Sequence, residues 1–356
     1  MRKFFVILYI IFASFLLAEN ITDGPYFKLE NDKVILHYIL DGKLKTEKFR
    51  FPPSGELNIK IPQLNGEYKI YKEAPIVPEA EYNGVEKIFS ISDIHGQYKR
   101  FVEILKNNHV IDNSLNWNFG KGHLVINGDV FDRGEQVTEA LWLIKKLHEQ
   151  AASVGGKVHY ILGNHEVAVL KGDDRYVNSK YISSAEIIGV DHKDLYTNET
   201  ILGRWLRTRN TCIKINDFYF VHGGISPELL EHGITPLECN AIVREIFADS
   251  SSKKEYTEIQ NFILGSLGPF WYRGYFVDGR NYKQLHKDEA LAVLEKINAE
   301  NIIVGHTTQD FINPFFGNKV IPIDSGIKYG DQGEGLLWKN GIFYRALADG
   351  YQEKLD

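Results

Sequence analysis

Cys212 and Cys239 are the only cysteines in 356 residues, so no disulfide framework can hold this chain together and one bridge is the most that could form. Cys212 falls in a strand-like run at 211–215 and Cys239 in a helix-like stretch, positions that suit two buried free thiols better than a bridge. Basic charge is also in short supply. Against 47 Asp and Glu stand 41 Lys and Arg, a formal net charge of −6, which argues against a surface built to hold nucleic acid. Beyond the first 18 residues no run is long and apolar enough to span a bilayer, which takes about 20 apolar residues. Internal repeats and low-complexity tracts are missing too. What remains, with 44% hydrophobic and 25% charged residues, can bury a substantial core without staples.

The opening of the chain reads differently from the rest. Arg2 and Lys3 precede an uncharged, mostly apolar run at 4–18, and polarity returns at Glu19 and Asn20. That is the layout of an export signal, expected to occupy residues 1–18 and to be cleaved, leaving an exported, periplasmic or secreted protein with no stable membrane insertion. Ala18 suits the position before the cut, whereas Leu16 is larger than the small residue usual there. With no cysteine in or just after the run, lipid attachment at this point is not available.

Residues 26–71 carry strand patterns. The run 34–40 is rich in β-branched and aromatic residues, Asp41-Gly42 is a hairpin turn signal, and 44–51 alternates afterwards. Pro52-Pro53-Ser54-Gly55 interrupts, 57–61 resumes strand character, and a connector containing Pro75 and Pro78 leads onward. This predicts a small all-β unit over 19–80 ahead of a larger domain over 81–356. From residue 87 the text changes to short apolar runs separated by helix-like segments, the signature of β-α-β units in a mixed α/β (layered α+β) fold. The runs 88–91, 124–127, 158–162, 218–221 and 302–304 each end in a polar cluster. Ligands bind at that edge in open α/β sheets.

The polar clusters carry the chemistry. Asp93 and His95, two apart at a strand end, can point to the same side and share one cation. Alone the pair decides little, because such pairs also serve as caps and surface hydrogen bonds. Gly128-Asp129-Val130-Phe131-Asp132-Arg133-Gly134 is far more specific. Asp129 leaves a strand on a glycine and has two oxygens with which to bridge two metals. Asp132 can hold a neighbouring imidazole in one tautomer, and Arg133 supplies a planar fork of donors for phosphate oxygens. Asn164 adds an amide oxygen for the second metal, with His165 beside it. His222, followed by Gly223 and Gly224, and His306, preceded by Gly305, sit at strand ends with room for a metal. A lone histidine of this kind is more often structural, but together they complete an N/O ligand set that suits Zn, Fe or Mn.

The ordered blocks Ser-Asp-Ile-His-Gly-Gln, Gly-Asp-Val-Phe-Asp-Arg-Gly, Gly-Asn-His-Glu, His-Gly-Gly-Ile-Ser-Pro-Glu and Gly-His-Thr resemble those of the calcineurin-like metallophosphoesterases, specifically the phosphoprotein phosphatase branch, over residues 87–330. The resemblance implies a calcineurin-like β-sandwich flanked by helices (α/β/β/α) and two metal ions. One ion would take Asp93, His95 and Asp129, the other Asp129, Asn164, His222 and His306. His165, paired with Asp132, would be the general acid. Ser92 stands where the family usually has glycine, and the Ile323-Asp324-Ser325-Gly326 segment does not match the tyrosine-bearing motif of the eukaryotic serine/threonine enzymes. The segment Gly268-Pro269-Phe270-Trp271-Tyr272-Arg273-Gly274-Tyr275 looks like that of the bacterial, Shewanella-like phosphatases, which makes Arg273 the candidate for a second phosphate clamp beside Arg133 and Asn164. Arg204, Arg207 and Arg209 compete for that place, though they read as helix-face charges.

The expected activity is a phosphomonoesterase in which a metal-bridging hydroxide attacks phosphorus in line, with a phosphorylated protein or peptide, phosphorylated on Ser/Thr or Tyr, as substrate. A hydrolase of dinucleoside polyphosphates or other small phosphate esters is the alternative within enzymes. An exported binding module with a structural metal is the alternative outside them. Loops at 170–210 and 265–285 would set pocket depth, and with it the choice of phosphorylated residue.

Overall fold

The computed structural model describes residues 21–61, 64, 66–248 and 255–355. The run at 4–18, read above as part of an export signal, lies outside the described residues. No helix among them is long and apolar enough to cross a membrane.

Strands β1 (Asp23–Glu30), β2 (Lys33–Leu40) and β3 (Lys43–Arg50) form an antiparallel meander, and β4 (Glu56–Lys60) pairs with β5 (Glu67–Tyr71) as a hairpin. The Asp41-Gly42 turn joins β2 to β3 with both residues at positive φ, as a tight hairpin turn demands. One face of the meander packs onto a helix of the main body. Phe27 and Tyr68 set their rings edge-on against Trp142 at 5.4 and 5.6 Å, and the Trp142 indole nitrogen donates to the Pro25 carbonyl at 3.0 Å. These residues belong to one apolar cluster that continues into the main body, so the unit's buried face is covered by packing.

The rest forms two sheets. One holds six strands in the order β16 (Gln352–Lys354), β15 (Ile342–Ala346), β14 (Gly335–Lys339), β7 (Lys87–Ile91), β8 (His123–Ile126) and β9 (Lys157–Tyr160). The other holds five, in the order β13 (Val320–Pro322), β12 (Asn301–Val304), β11 (Phe218–Val221), β10 (Cys212–Ile215) and β6 (Glu81–Tyr82). Strands β7, β8 and β9 are mutually parallel, as are β11, β12 and β13.

The period of two along each strand explains the layers. Ile88, Val125, Ile213, Ile215, Phe218, Phe220, Ile303, Ile321 and Leu336 meet in one cluster drawn from both sheets, which is the sandwich interior. Their alternate neighbours Phe89, Ile91, Leu124, Ile126, Tyr219, Val221, Ile302 and Val304 belong to the other cluster, with helix residues. On the six-stranded side these helices include α1 (Tyr98–Asn107) and α2 (Val137–Ser153). The α/β/β/α layering that the family resemblance implied is therefore the observed architecture. Three further helices bear on the site: α3 (Asn164–Lys171), α4 (Ser179–Ile188) and α5 (Ile201–Leu206).

Candidate active site

Five parallel strands from the two sheets, β7, β8, β9, β11 and β12, end at one edge, and each is followed by a polar residue or pair that the sequence singled out. Backbone hydrogen bonds tie these strand ends together. Asp93 N–H donates to the Gly128 carbonyl (3.1 Å), His95 N–H to Asp129 (2.9 Å), and Gly305 N–H to His222 (2.8 Å). Gly163 shows why glycine is needed here: a Cβ on it would lie 2.2 Å from the Asp129 carboxylate.

The side chains meet around Asp129. Its Oδ2 lies 3.1 Å from His222 Nε2 and 3.7 Å from His95 Nε2, while Asn164 Oδ1 is 3.0 Å from His222 Nε2 and Asp93 Oδ1 is 3.8 Å from His95 Nε2. His95, Asp129 and His165 offer ligand atoms within 4.8 Å of one another, and so do Asp129, His222 and His306. All are buried. Asp93 turns Oδ2 inward to accept from Ser92 Oγ (2.6 Å) and from the His306 amide (2.9 Å), which leaves Oδ1 for the centre. Ser92, where glycine is usual, thus orients a candidate ligand.

Two imidazoles have their tautomers fixed by carbonyls, which can only accept. Nδ1 of His95 donates to Phe131 O at 2.7 Å and Nδ1 of His222 donates to Asn127 O at 2.8 Å, so each Nε2 faces the cluster. His306 Nε2 is buried with no hydrogen-bond partner. A buried orphan nitrogen beside a carboxylate and a second imidazole is what a metal ligand looks like before its ion is considered. Burial opposes a proton on His222, yet the Asp129 carboxylate against it raises its pKa to about 10. Burial also outweighs the Asp129 charge at His95, holding that imidazole at about 3. For Asp129 burial favours the neutral acid, but His222 and His165 keep it well below the ordinary carboxylate range. A carboxylate ringed by imidazoles is the charge pattern that one cation on either side would balance.

The backbone here is unusual. Asp93, His95, Asp129, Asp132, Arg133 and His306 all take left-handed conformations, with φ between 45° and 70°. Each costs the chain energy that a glycine would not, and such strain gathers at functional sites.

Around the cluster, His165 Nδ1 lies 2.5 Å from Asp132 Oδ2 and its Nε2 points to the centre, 3.9 Å from Asp129 Oδ2. Burial pushes the pKa of His165 down, but Asp129 and Asp132 together lift it above the ordinary value. Arg133 is exposed, and its charge acts on His95. Arg273 is half-buried and acts on His306 from the other side, carried by a segment whose Pro269 carbonyl accepts from Gly223 N–H at 2.7 Å and whose Trp271 ring sits 5.5 Å from that of His306. The structure thus gathers Asp93, His95, Asp129, Asp132, Asn164, His165, His222 and His306, with Arg133 and Arg273 on the segments beside them. Two of the competing arginines are spent elsewhere, and none of the three is a simple surface charge. Arg204 donates to the Tyr71, Lys72 and Glu73 carbonyls and Arg209 to Ile76 O, so both fasten the connector after β5, while Arg207 is buried.

Comparison with known proteins agrees with this geometry. A calcineurin-like phosphoesterase profile matches residues 86–310. The chain belongs to the calcineurin-like phosphoesterase family. The crystal structure of the cold-active protein-tyrosine phosphatase of a psychrophilic Shewanella species superposes with a TM-score of 0.86 at 38% identity, covering 94% of this chain and 99% of that one. Shewanella-like protein phosphatase 1 of Plasmodium berghei is 30% identical over 256 residues, 69% of this chain and 68% of its own length. Shewanella-like protein phosphatase 2 of Arabidopsis thaliana is 26% identical over 299 residues, 71% of this chain and 74% of its own. The resemblance read from the Gly268–Tyr275 segment pointed to the same group. Calcineurin-like phosphoesterases use two metal ions, and the donor set here fits two; the chain is a metal-dependent phosphatase.

One residue of this phosphoesterase site escaped the sequence reading. Glu166, fully buried, accepts from the backbone N–H groups of Asp129 (2.8 Å), Val130 (2.8 Å) and Gly163 (2.6 Å) and from the Tyr160 hydroxyl (2.9 Å). It holds the loop that carries the central carboxylate. Its signal was a glutamate at the third position of α3, where a side chain reaches back over the helix start.

Proposed function

We propose that this phosphatase acts on phosphorylated proteins, with phosphotyrosine as the favoured residue. The observation that carries the reading is the pairing of a protonatable His165 with a two-sided ligand cluster open to two arginines. When bound, one ion on Asp93, His95 and Asp129 and another on Asp129, Asn164, His222 and His306 supply a nucleophile drawn from water and positive charge for the phosphoryl oxygens.

The chain's own residues do the rest. Arg133 meets the phosphate with a fork of donors, and Arg273 closes on it from the side of His306. Asp132 holds His165 with Nδ1 engaged, so that a proton at Nε2 faces the leaving oxygen. Two aromatic rings support phosphotyrosine: Tyr176, exposed and 5.1 Å from the His165 ring, and Trp271 beside His306. They offer walls for a planar leaving group, and the Shewanella structure at 38% identity is that of a protein-tyrosine phosphatase.

The deciding experiment compares kcat/KM of the metal-loaded enzyme on matched phosphotyrosyl and phosphoseryl peptides and on a dinucleoside tetraphosphate. The phosphotyrosyl peptide should be the best substrate. Preference for the dinucleotide would overturn the reading.

A further inference from the structure

Beside the candidate ligand cluster lies a cleft of about 950 Å³, lined in part by Arg133 and Gly134. Its walls come mainly from the start of α1, the turn into α2 at 133–136 and the start of α4, with Ile21 and Thr22 of the N-terminal unit and Gly330 completing the lining. The cleft and the catalytic turn are one piece of structure. Asn178 Nδ2 donates to Arg133 O at 2.8 Å, and Gly134 N–H donates to His95 O at 2.9 Å.

The charge of this cleft runs against that of the whole molecule. Lys99, Arg100, Arg133 and Lys180 line it with Glu135 as the one acidic lining residue, in a chain of net charge −6. Two of the four cations are already engaged. Arg100 pairs with Glu103 at 2.7 Å, and Lys180 lies 3.4 Å from Asp23 and 3.8 Å from Glu139. Lys99 and the Arg133 guanidinium make no ion pair or hydrogen bond among the described residues. Helices α1, α2 and α4 also begin here, adding the positive ends of three helix dipoles. Neither α1 nor α4 carries an acidic side chain in its first turn to neutralise that end.

We infer that this cleft holds the peptide beside the phosphorylated residue and selects acidic side chains there, with Lys99 as the specificity-determining residue. Resting on the protein-phosphatase reading above, the inference narrows the substrate to phosphopeptides with Asp or Glu flanking the phosphorylated position. Arg133 takes the phosphate, and Lys99, on the neighbouring wall, faces whatever side chain the peptide lays next to it. With Arg133 on the phosphate, an acidic flank meets the unshared Lys99, whereas a basic flank meets like charge there, with Glu135 the one acidic residue that lines the cleft. The N-terminal β unit, through Ile21 and Thr22, then acts as one end wall of the substrate groove.

The test uses the metal-loaded full chain, an aryl phosphate, and two phosphotyrosyl peptides that differ only in carrying Glu or Lys on either side of the phosphorylated residue. Each protein is characterised by its ratio of kcat/KM between the two peptides, so differences in active fraction cancel. The native enzyme should favour the acidic peptide by about fivefold, mostly through KM, and raising the salt concentration should shrink that preference. Lys99→Glu should abolish or reverse the ratio, and Lys99→Arg should restore it. Equal hydrolysis of both peptides by the native enzyme, or an unchanged ratio in Lys99→Glu, overturns the inference and leaves the protein-phosphatase reading standing. Turnover of the aryl phosphate with neither peptide hydrolysed overturns both.

Discussion

Asp132 Oδ2 lies 2.5 Å from His165 Nδ1, one residue carried by the segment after β8 and the other by the start of α3, which follows β9. The pair fixes which nitrogen of His165 can serve the leaving group. Asp132→Asn should therefore lower kcat by about 100-fold with little change in KM, in the range that general acids contribute. The loss should be largest for alkyl phosphates, whose leaving oxygen needs a proton, and smallest for nitrophenyl phosphate. Asp132 also helps raise the His165 pKa, so the alkaline limb of the pH–rate profile should move to lower pH in the variant. Equal losses on both esters would remove His165 from the role of acid.

Asp129 is the one carboxylate common to both ligand groups. In Asp129→Asn the amide keeps the shape but loses the charge that two ions share, and metal analysis of the purified protein should show a clear drop in bound metal. Hydrolysis of an aryl phosphate should fall by at least about 1,000-fold, since charge stabilisation and nucleophile are lost together. Full metal content with undiminished turnover would defeat the assignment.

Glu166 accepts donors from two loops and a tyrosine inside the core, so its removal leaves several buried groups without partners. Glu166→Ala should cost about 2–4 kcal/mol of stability, read from denaturant unfolding. Glu166→Gln keeps the volume and part of the hydrogen bonding and should cost less. At equal metal occupancy both variants should still show reduced kcat, because the loop carrying Asp129 is no longer held.

Far from the metal cluster, His123 and His159 share a 3.0 Å hydrogen bond, and burial is the main force holding His159 well below the ordinary imidazole range and His123 and His148 at about 4. Unfolded imidazoles titrate near 6.5. Between those values the unfolded chain binds more protons than the folded one, so stability is present above about pH 6.5 and is lost as the pH falls toward 4. His148→Gln should flatten the slope of unfolding free energy against pH in that window by on the order of 1–2 kcal/mol over its full width. An unaltered slope would place the acid sensitivity elsewhere.

In the candidate ligand set, Asp93, His95 and Asp129 were legible from their spacing at strand ends, while Asn164, His222 and His306 owed more to the family resemblance. The mixed α/β character was legible in short apolar runs separated by helix-like segments, whereas the sandwich came from the family resemblance. Other parts depend on contacts that no local pattern announces. The role of Glu166 rests on amides as far as 37 positions away, and Arg204 and Arg209 are spoken for by connector carbonyls more than 130 positions away, which a reading of helix faces could not supply. Arg273 came from likeness to known phosphatases alone, since its path to His306 is a packed loop with no repeating pattern. The covering of Phe27 by Trp142 likewise joins segments that the sequence keeps apart.

The left-handed backbone at Asp93, His95, Asp129 and His306 narrows the choice of residue from two directions at once. Conformation favours glycine first and then asparagine or aspartate, while a metal site calls for a carboxylate or an imidazole. A library selected only for heat resistance would drift toward glycine there and discard the enzyme as it improved the protein. A library selected for turnover would be held to four awkward residues and would have to seek its stability elsewhere, in the sandwich interior and in the meander clasped around Trp142.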